Sequence, residues 1–328
     1  MLVLNAAEVE RVLPMREAIS AMKGAFQALS EGSVTLPLRS QLTIEEKDAR
    51  VLLMPAYLKA DGGGTLGVKT ISVFPENAEL GLPLLHAAVL VLDENTGAVR
   101  ALLEGGRLTA VRTGAASGAA TDLLARENCA VGAIFGAGVQ SRSQLEAVCA
   151  VRNLKQVWIY DPNPKRTEAF IREMAGRGPI PEDLRPAASP AQAAAEADLI
   201  CTATTSKEPV FKAEDLKPGV HINGVGSFTP EMIEVPPELV KAGSVFVDSR
   251  AGVMEESGEV LEAIRQGLIE EEDLVELGEV LAGTSPGRVD PEQNTFFKSV
   301  GIAVQDAAAG GLALKKAEEL GIGQRVDW

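Results

Sequence analysis

The chain runs to 328 residues, with 46% hydrophobic and 23% charged side chains and a net charge of −15. That length and balance describe a folded protein large enough for two cores, and they exclude a disordered chain. The acidic surface argues against nucleic acid and against anionic membranes as partners.

The three cysteines, Cys129, Cys149 and Cys201, form no Cys-x-x-Cys pair. An odd count in apolar stretches points to packed thiols in a reducing cytoplasm, with neither a disulfide framework nor a metal site. The start, Met1-Leu2-Val3-Leu4-Asn5, has no basic region leading into an apolar core, so no targeting segment is expected. The longest apolar stretch, residues 82–92, is interrupted by His86 and is too short to span a bilayer.

Taken in chain order, the N-terminus reads as helical. Asn5 and Glu8 have the spacing of a reciprocal capping pair. After Pro14, the residues Met15, Ile19, Met22, Phe26 and Leu29 recur three and four apart, which predicts a helix with one apolar face, stopped at Gly32. Over residues 33–104, short apolar runs at 51–54, 66–71 and 86–92 alternate with Gly, Pro and Asn, the pattern of strands. Asp93-Glu94-Asn95-Thr96-Gly97 is a hairpin turn joining 87–92 to 99–103. A mainly antiparallel sheet or partial barrel follows.

Residues 108–124 turn helical and are rich in Ala and Gly, small enough for another backbone to approach. Over 129–250, strands are predicted at 130–135, 156–160, 198–203, 220–225 and 245–248, with helices between most of them. Such alternation gives a parallel, doubly wound sheet of the Rossmann type, so the fold class is α/β. Residues 296–320 read as one long helix ended by Gly321, able to return the chain to the first domain.

The sharpest motif is Gly136-Ala137-Gly138-Val139-Gln140-Ser141, between a strand and a helix predicted over 144–150. Gly136 permits the tight turn, and Gly138 lets the backbone approach a pyrophosphate. The helix start, at Val139 and Gln140, offers free N–H groups. Asp161 ends the next strand, 25 positions after Gly136. A carboxylate there accepts from the ribose hydroxyls and repels a 2′-phosphate, favouring NAD over NADP. Lys165 and Arg166 work in the opposite direction and keep NADP open. Thr202, Val225 and Ser227 follow strand ends, where a doubly wound sheet binds ligands. His86 and His221 read as strand or core residues, Asp248 as a loop or cap carboxylate, and the acidic runs at 255–256 and 270–273 as solvated helix starts.

Several stretches together resemble the ornithine cyclodeaminase/mu-crystallin family: Gly67-Val68-Lys69, Gly81-Leu82-Pro83, Leu108-Thr109-Ala110-Val111-Arg112-Thr113, the Gly136 motif, His221-Ile222-Asn223-Gly224-Val225-Gly226 and Phe297-Lys298-Ser299-Val300-Gly301. The resemblance implies a homodimer. It also implies a discontinuous substrate-binding and dimerisation domain of α+β type, residues 1–116 and 304–328, around a Rossmann domain at 117–303. By the same resemblance Arg39, Lys69 and Arg112 surround the substrate carboxylate and reacting centre, Arg112 and Thr113 also touch the cofactor phosphates, and Lys298 contacts the cofactor. The chemistry agrees, since a carboxylate entering a partly dry pocket needs a cation, and a guanidinium pairs with it bidentately. Lys69 is the expected catalytic residue, placing a proton near the reacting carbon–nitrogen bond.

Two positions depart from the family pattern. Phe228 stands where the cyclodeaminases carry their acid/base aspartate, and Leu84 where many relatives have a hydroxyl. The resemblance therefore implies an NAD(P)H-dependent reductase of a cyclic ketimine acid, such as 1-pyrroline-2-carboxylate or 1-piperideine-2-carboxylate, giving an L-amino acid. Ornithine cyclodeaminase, alanine dehydrogenase and a non-catalytic mu-crystallin-like binder are the alternatives.

Overall fold

The computed structural model describes residues 1–37, 39–59 and 63–327. The chain forms two compact units, Met1–Arg112 with Ile302–Trp328, and Thr113–Gly301. The first division falls inside the helix Gly105–Leu124.

The first unit is built on one sheet. Its order is Gln324–Arg325, Leu2–Leu4, Val99–Glu104, Leu85–Leu92, Thr65–Val73, Ala49–Leu58 and Val34–Thr35, with Ser40–Ile44 also paired to Ala49–Leu58. All pairings are antiparallel except Leu2–Leu4 with Val99–Glu104. The chain thus begins as a strand, where a helical start was expected. Leu2 and Leu4 are buried while Val3 is less so, the alternation of a strand edge. The helix Ala6–Val12 follows with the Asn5–Glu8 capping box in place: Asn5 Oδ1 accepts from Glu8 N at 3.1 Å, and Glu8 Oε2 accepts from Asn5 N at 2.9 Å. The 93–97 hairpin turn is also present. Asp93 Oδ1 accepts from Thr96 N and Oγ1, and Gly97 takes φ 72°.

Cross-strand register puts Met54, Lys69, Val89 and Leu103 side by side on one face. Ala56, Gly67, Val91 and Ala101 make the next row. This face is buried, and the helix Ala303–Leu320 packs on its strands. A Cβ on Gly67 would lie 3.1 Å from the Cα of Ala307, so the glycine sets how close helix and sheet come. Each aliphatic side chain buried here contributes roughly 1.5–3 kcal/mol.

The second unit holds a parallel sheet in the order Leu184–Pro186, Gln156–Tyr160, Val131–Phe135, Leu199–Thr202, His221–Gly224, Thr295–Lys298, Val245–Val247, Val275–Glu276. Both faces are covered. Ala133, Phe135, Ile200 and Ile222 belong to one apolar cluster, and Ile134, Leu199 and Cys201 to the other. Burial on both sides is why these strands read as continuous apolar runs. The order reverses between Val131–Phe135 and Leu199–Thr202, which makes their carboxyl ends the switch point where such sheets bind ligands.

Residues 296–320 do not form one helix. Thr295–Lys298 is a buried central strand, the chain turns at Gly301 (φ 82°), and the helix begins at Ala303. The aromatic and β-branched run Thr295-Phe296-Phe297 suits a strand buried on both faces, and a helical spacing overlaps it by accident. Among the described residues, no helix is long and apolar enough to cross a membrane. Cys129, Cys149 and Cys201 are buried and unpaired, and burial pushes the Cys149 and Cys201 thiols up to about 12.

Candidate active site

In the first unit, Lys69 lies in the strand Thr65–Val73 on the face beneath the helix Ala303–Leu320. Only 2% of the residue is exposed. Its ammonium Nζ is 2.5 Å from Asp306 Oδ2. Arg112, on the helix Gly105–Leu124, donates from Nε to Asp306 Oδ1 at 2.9 Å and from Nη1 to Gln305 Oε1 at 2.5 Å. One buried carboxylate thus bridges two cations.

Burial lowers the proton affinity of Lys69 most strongly. Asp306 opposes this, and the charges of Arg112 and Arg39 add to the lowering, leaving the ammonium at about 8 against an ordinary 10.5. A lysine so placed holds its proton at neutral pH yet can release it, as a general acid must. Arg39, half-buried, stands just before the strand Ser40–Ile44. Lys69 and Arg112 are therefore brought together, with Arg39 close enough to act on Lys69 electrostatically.

Sequence reasoning missed Asp306 and Gln305, reading that helix by its apolar positions. The signal was a lone acid within Ala303-Val304-Gln305-Asp306-Ala307-Ala308-Ala309, since a carboxylate among residues this apolar needs a buried partner.

In the second unit, Gly136 ends the central strand Val131–Phe135 with φ 97°, a conformation that favours glycine. A Cβ there would also meet Ala203 O at 2.7 Å, so the loops after the two switch-point strands abut. Gly138 is different. Its φ of −86° suits any residue, and a built Cβ meets nothing nearer than Arg166 Nη2 at 3.9 Å. The protein's own packing does not demand glycine at 138, and the open space beside it leaves room for a ligand to come close to the backbone.

The helix Val139–Val151 starts there with no side chain capping its first amides. Val139 is 67% exposed, and Gln140 is half-buried in the same turn. Uncapped amides, open space and a dipole end together fit a pyrophosphate. Asp161, one strand over, accepts from Ala137 N at 3.0 Å and from Asn163 N at 2.9 Å, and Arg166 Nε lies 3.9 Å from Oδ2. A carboxylate fixed to the glycine loop in this way could accept from ribose hydroxyls.

Thr113 is buried, its carbonyl accepting from Gln144 Nε2 at 3.1 Å. Thr202 is buried at the end of its strand, and the loop 225–228 follows the strand His221–Gly224. In that loop Val225 N donates to Thr202 O at 3.1 Å, and Phe228 is 43% exposed. Ser227 and Lys298 are fully buried: the Lys298 ammonium donates to the Ser227 carbonyl at 2.8 Å and also to its hydroxyl. It lies 3.4 Å from Glu259 Oε2.

Two further buried acids, Glu234 and Glu259, were not singled out in the sequence, where short charged runs read as solvent-facing. Asp248, read as a loop carboxylate, is buried and accepts from Ser299 Oγ and Gly301 N, tying down the turn after the strand Thr295–Lys298. His221 is buried against Thr295 Oγ1 and Asn223 Oδ1, and burial first, then Arg288, lowers it to about 3. It stays neutral and serves the core. His86 is exposed.

Against known proteins, this chain is 38% identical to a Delta(1)-pyrroline-2-carboxylate reductase of Bacillus cereus over 330 residues, covering 100% of both. It superposes with a TM-score of 0.93 on a Thermococcus litoralis Delta(1)-pyrroline-2-carboxylate reductase in complex with NADH and L-proline, at 40% identity, covering 99% of this chain and 100% of that one. An archaeal alanine dehydrogenase dimer with bound NAD matches with a TM-score of 0.90 at 31% identity, covering 100% of this chain and 99% of that one. Residues 1–319 match the ornithine cyclodeaminase/mu-crystallin family, and with whole-length relatives at this level of identity the chain belongs to that family.

Proposed function

We infer that this chain is an NADH-dependent reductase of a cyclic imino acid, converting 1-pyrroline-2-carboxylate into L-proline. The observation that carries the reading is the buried Lys69–Asp306–Arg112 cluster: two cations on one anion, with a proton on Lys69 available near neutral pH. Its surplus positive charge suits a monocarboxylate substrate. Relatives at 38% and 40% identity carry the same activity in their names.

Bound NADH supplies a hydride to C2 of the imine. Arg112, with Arg39, pairs with the substrate carboxylate and fixes which carbon is presented. As the C=N π pair becomes a nitrogen lone pair, Lys69 places or delivers the proton that makes the secondary amine. The imine thus gains one hydride and one proton. Gly136, Gly138, Val139 and Gln140 would hold the pyrophosphate, with Thr113 and Arg112 on the phosphates. Asp161 would accept from the adenosine ribose and favour NAD over NADP. Thr202, Val225 and Ser227 would border the other end, with Lys298 acting there through Ser227.

The side of the first unit's sheet opposite Lys69 supports a homodimer, the state of the archaeal relative. Val68, Leu90 and Leu102 align across it and are only half-buried, an apolar surface suited to a second copy. Unpaired buried thiols suit a reducing cytoplasm.

Absorbance of NADH with 1-pyrroline-2-carboxylate tests the reading, and turnover is expected without added ammonium. Oxidation of NADH only with pyruvate plus ammonium would instead make it an alanine dehydrogenase. Ammonia release from ornithine would point to a cyclodeaminase, a reading disfavoured by Phe228. Tight NADH binding with no turnover on any of these would leave a binding protein.

A further inference from the structure

We propose that Glu234 is a positioning residue for cofactor binding: its buried carboxylate fastens together the two loops, 203–206 and 225–228, that border the carboxyl edge of the parallel sheet. The proposal rests on the reading of the chain as an NADH-dependent reductase. These loops follow the adjacent strands Leu199–Thr202 and His221–Gly224. Glu234 Oε1 accepts from Thr204 N at 2.5 Å. Its Oε2 accepts from Gly226 N at 2.6 Å and Ser227 N at 2.9 Å. One side chain with no exposed surface therefore takes three backbone amides from two loops.

A second layer holds the clamp. Glu259 accepts from the amide of Glu234 at 2.9 Å, from the Ser227 hydroxyl at 2.7 Å and from the Ser257 hydroxyl at 3.1 Å. Lys298 completes it by donating to Ser227 beside Glu259. The packing leaves no slack: a Cβ on Gly226 would collide with the backbone of Thr204 and lie 2.6 Å from Glu234 Oε1. Glu234 touches no reacting atom in this scheme. It spares the cofactor the cost of ordering two loops, which otherwise comes out of binding affinity.

The test is Glu234→Gln, which keeps the shape but turns an amide N–H₂ toward backbone N–H groups. Fluorescence titration should show the Kd for NADH rising at least about tenfold, while the KM for 1-pyrroline-2-carboxylate stays within about twofold. A purely structural defect would lower the active fraction and leave both constants alone. A folded variant with an unchanged Kd for NADH overturns the proposal.

Should the variant fail to fold, hydrogen exchange on the cofactor-free wild type decides. Slow, joint exchange of the Thr204, Gly226 and Ser227 amides supports the clamp, and exchange as fast as in exposed loops overturns it. A wild type that binds no NADH overturns the functional reading and the clamp's role with it. Wild-type binding alongside an unaffected Glu234→Gln overturns the clamp alone.

Discussion

Replacing Asp306 with Asn removes the anion that pairs with Lys69 in the buried cluster described above. Burial and the two arginines already push the ammonium toward losing its proton, and Asp306 is what holds the value at about 8. Two unit charges about 4 Å apart at an effective dielectric of about 20 interact by about 4 kcal/mol. At 1.36 kcal/mol per unit, that is about three pH units. Water entering the altered site absorbs part of it, so a displacement of at least about one pH unit is expected.

The sign follows from the donor's identity. Lys69 acts as the ammonium, so turnover falls as pH rises through its folded value, and losing Asp306 makes that fall begin at lower pH. The assay is kcat/KM for NADH oxidation with 1-pyrroline-2-carboxylate from about pH 6 to about pH 10. Wild type should lose activity near about 8. A variant that keeps both the wild-type alkaline limb and the wild-type rate would falsify the claim that Asp306 controls this proton.

Lys69→Met should lower kcat by about 10²- to 10⁴-fold, the usual range for a lost general acid, with NADH affinity in a fluorescence titration unchanged. Gly138→Ala should leave the melting temperature where it is, because the position is open, and should weaken NADH binding about tenfold by pushing the diphosphate away from the helix start. An affinity equal to wild type would mean that nothing approaches that glycine. His221, lowered from 6.5 to about 3, takes up a proton on unfolding before it does so in the folded state. Stability should therefore decline as pH drops through 6.5 toward about 3, by on the order of 4 kcal/mol over the whole span. Urea midpoints across that range check it, and a flat profile would refute the burial argument.

The elements that could be read from the sequence are those whose pattern is local. The strand at 156–160 was expected with its observed bounds, and the Asn5–Glu8 cap and the 93–97 turn need only neighbours a few residues away. The misreadings share a different cause. Thr295–Lys298 is a strand because His221–Gly224 and Val245–Val247 flank it, a fact no window around residue 296 contains. Leu184–Pro186 and Val275–Glu276 are edge strands of three and two residues, too short to carry a period.

The same holds for the site. Motif residues such as Gly136, Lys69 and Arg112 stand out by type and company. Their partners Asp306, Glu234 and Glu259 lie far along the chain, and their burial comes from the fold alone. The spacing from Lys69 to Asp306 has no meaning until the helix Ala303–Leu320 lies on the strand Thr65–Val73.

The two buried ionic clusters differ in what they leave unsatisfied, and that difference assigns their roles. In the second unit the buried groups are two carboxyls, Glu234 and Glu259, against the one ammonium of Lys298, which pairs with Glu259. Burial first, and then Glu259, raises the proton affinity of Glu234 against the opposing charge of Lys298, while three backbone N–H groups satisfy its carboxyl oxygens inside the chain. The hydrogen-bonding capacity of that carboxyl is taken up by two loops, so this cluster holds a shape. In the first unit the balance is reversed, two cations against one carboxylate, and Arg39 adds positive potential. Burial first, with the charges of Arg112 and Arg39 adding to it, weakens the hold of Lys69 on its proton despite the paired Asp306. A carboxylate arriving with the substrate supplies a further counter-ion. It should strengthen Lys69's hold on the proton at the moment one is needed, so substrate binding itself prepares the acid. The alkaline limb of kcat should then lie at higher pH than that of kcat/KM, since the first reports the bound state and the second the free enzyme. Coincident limbs would mean that the carboxylate binds out of electrostatic reach of Lys69.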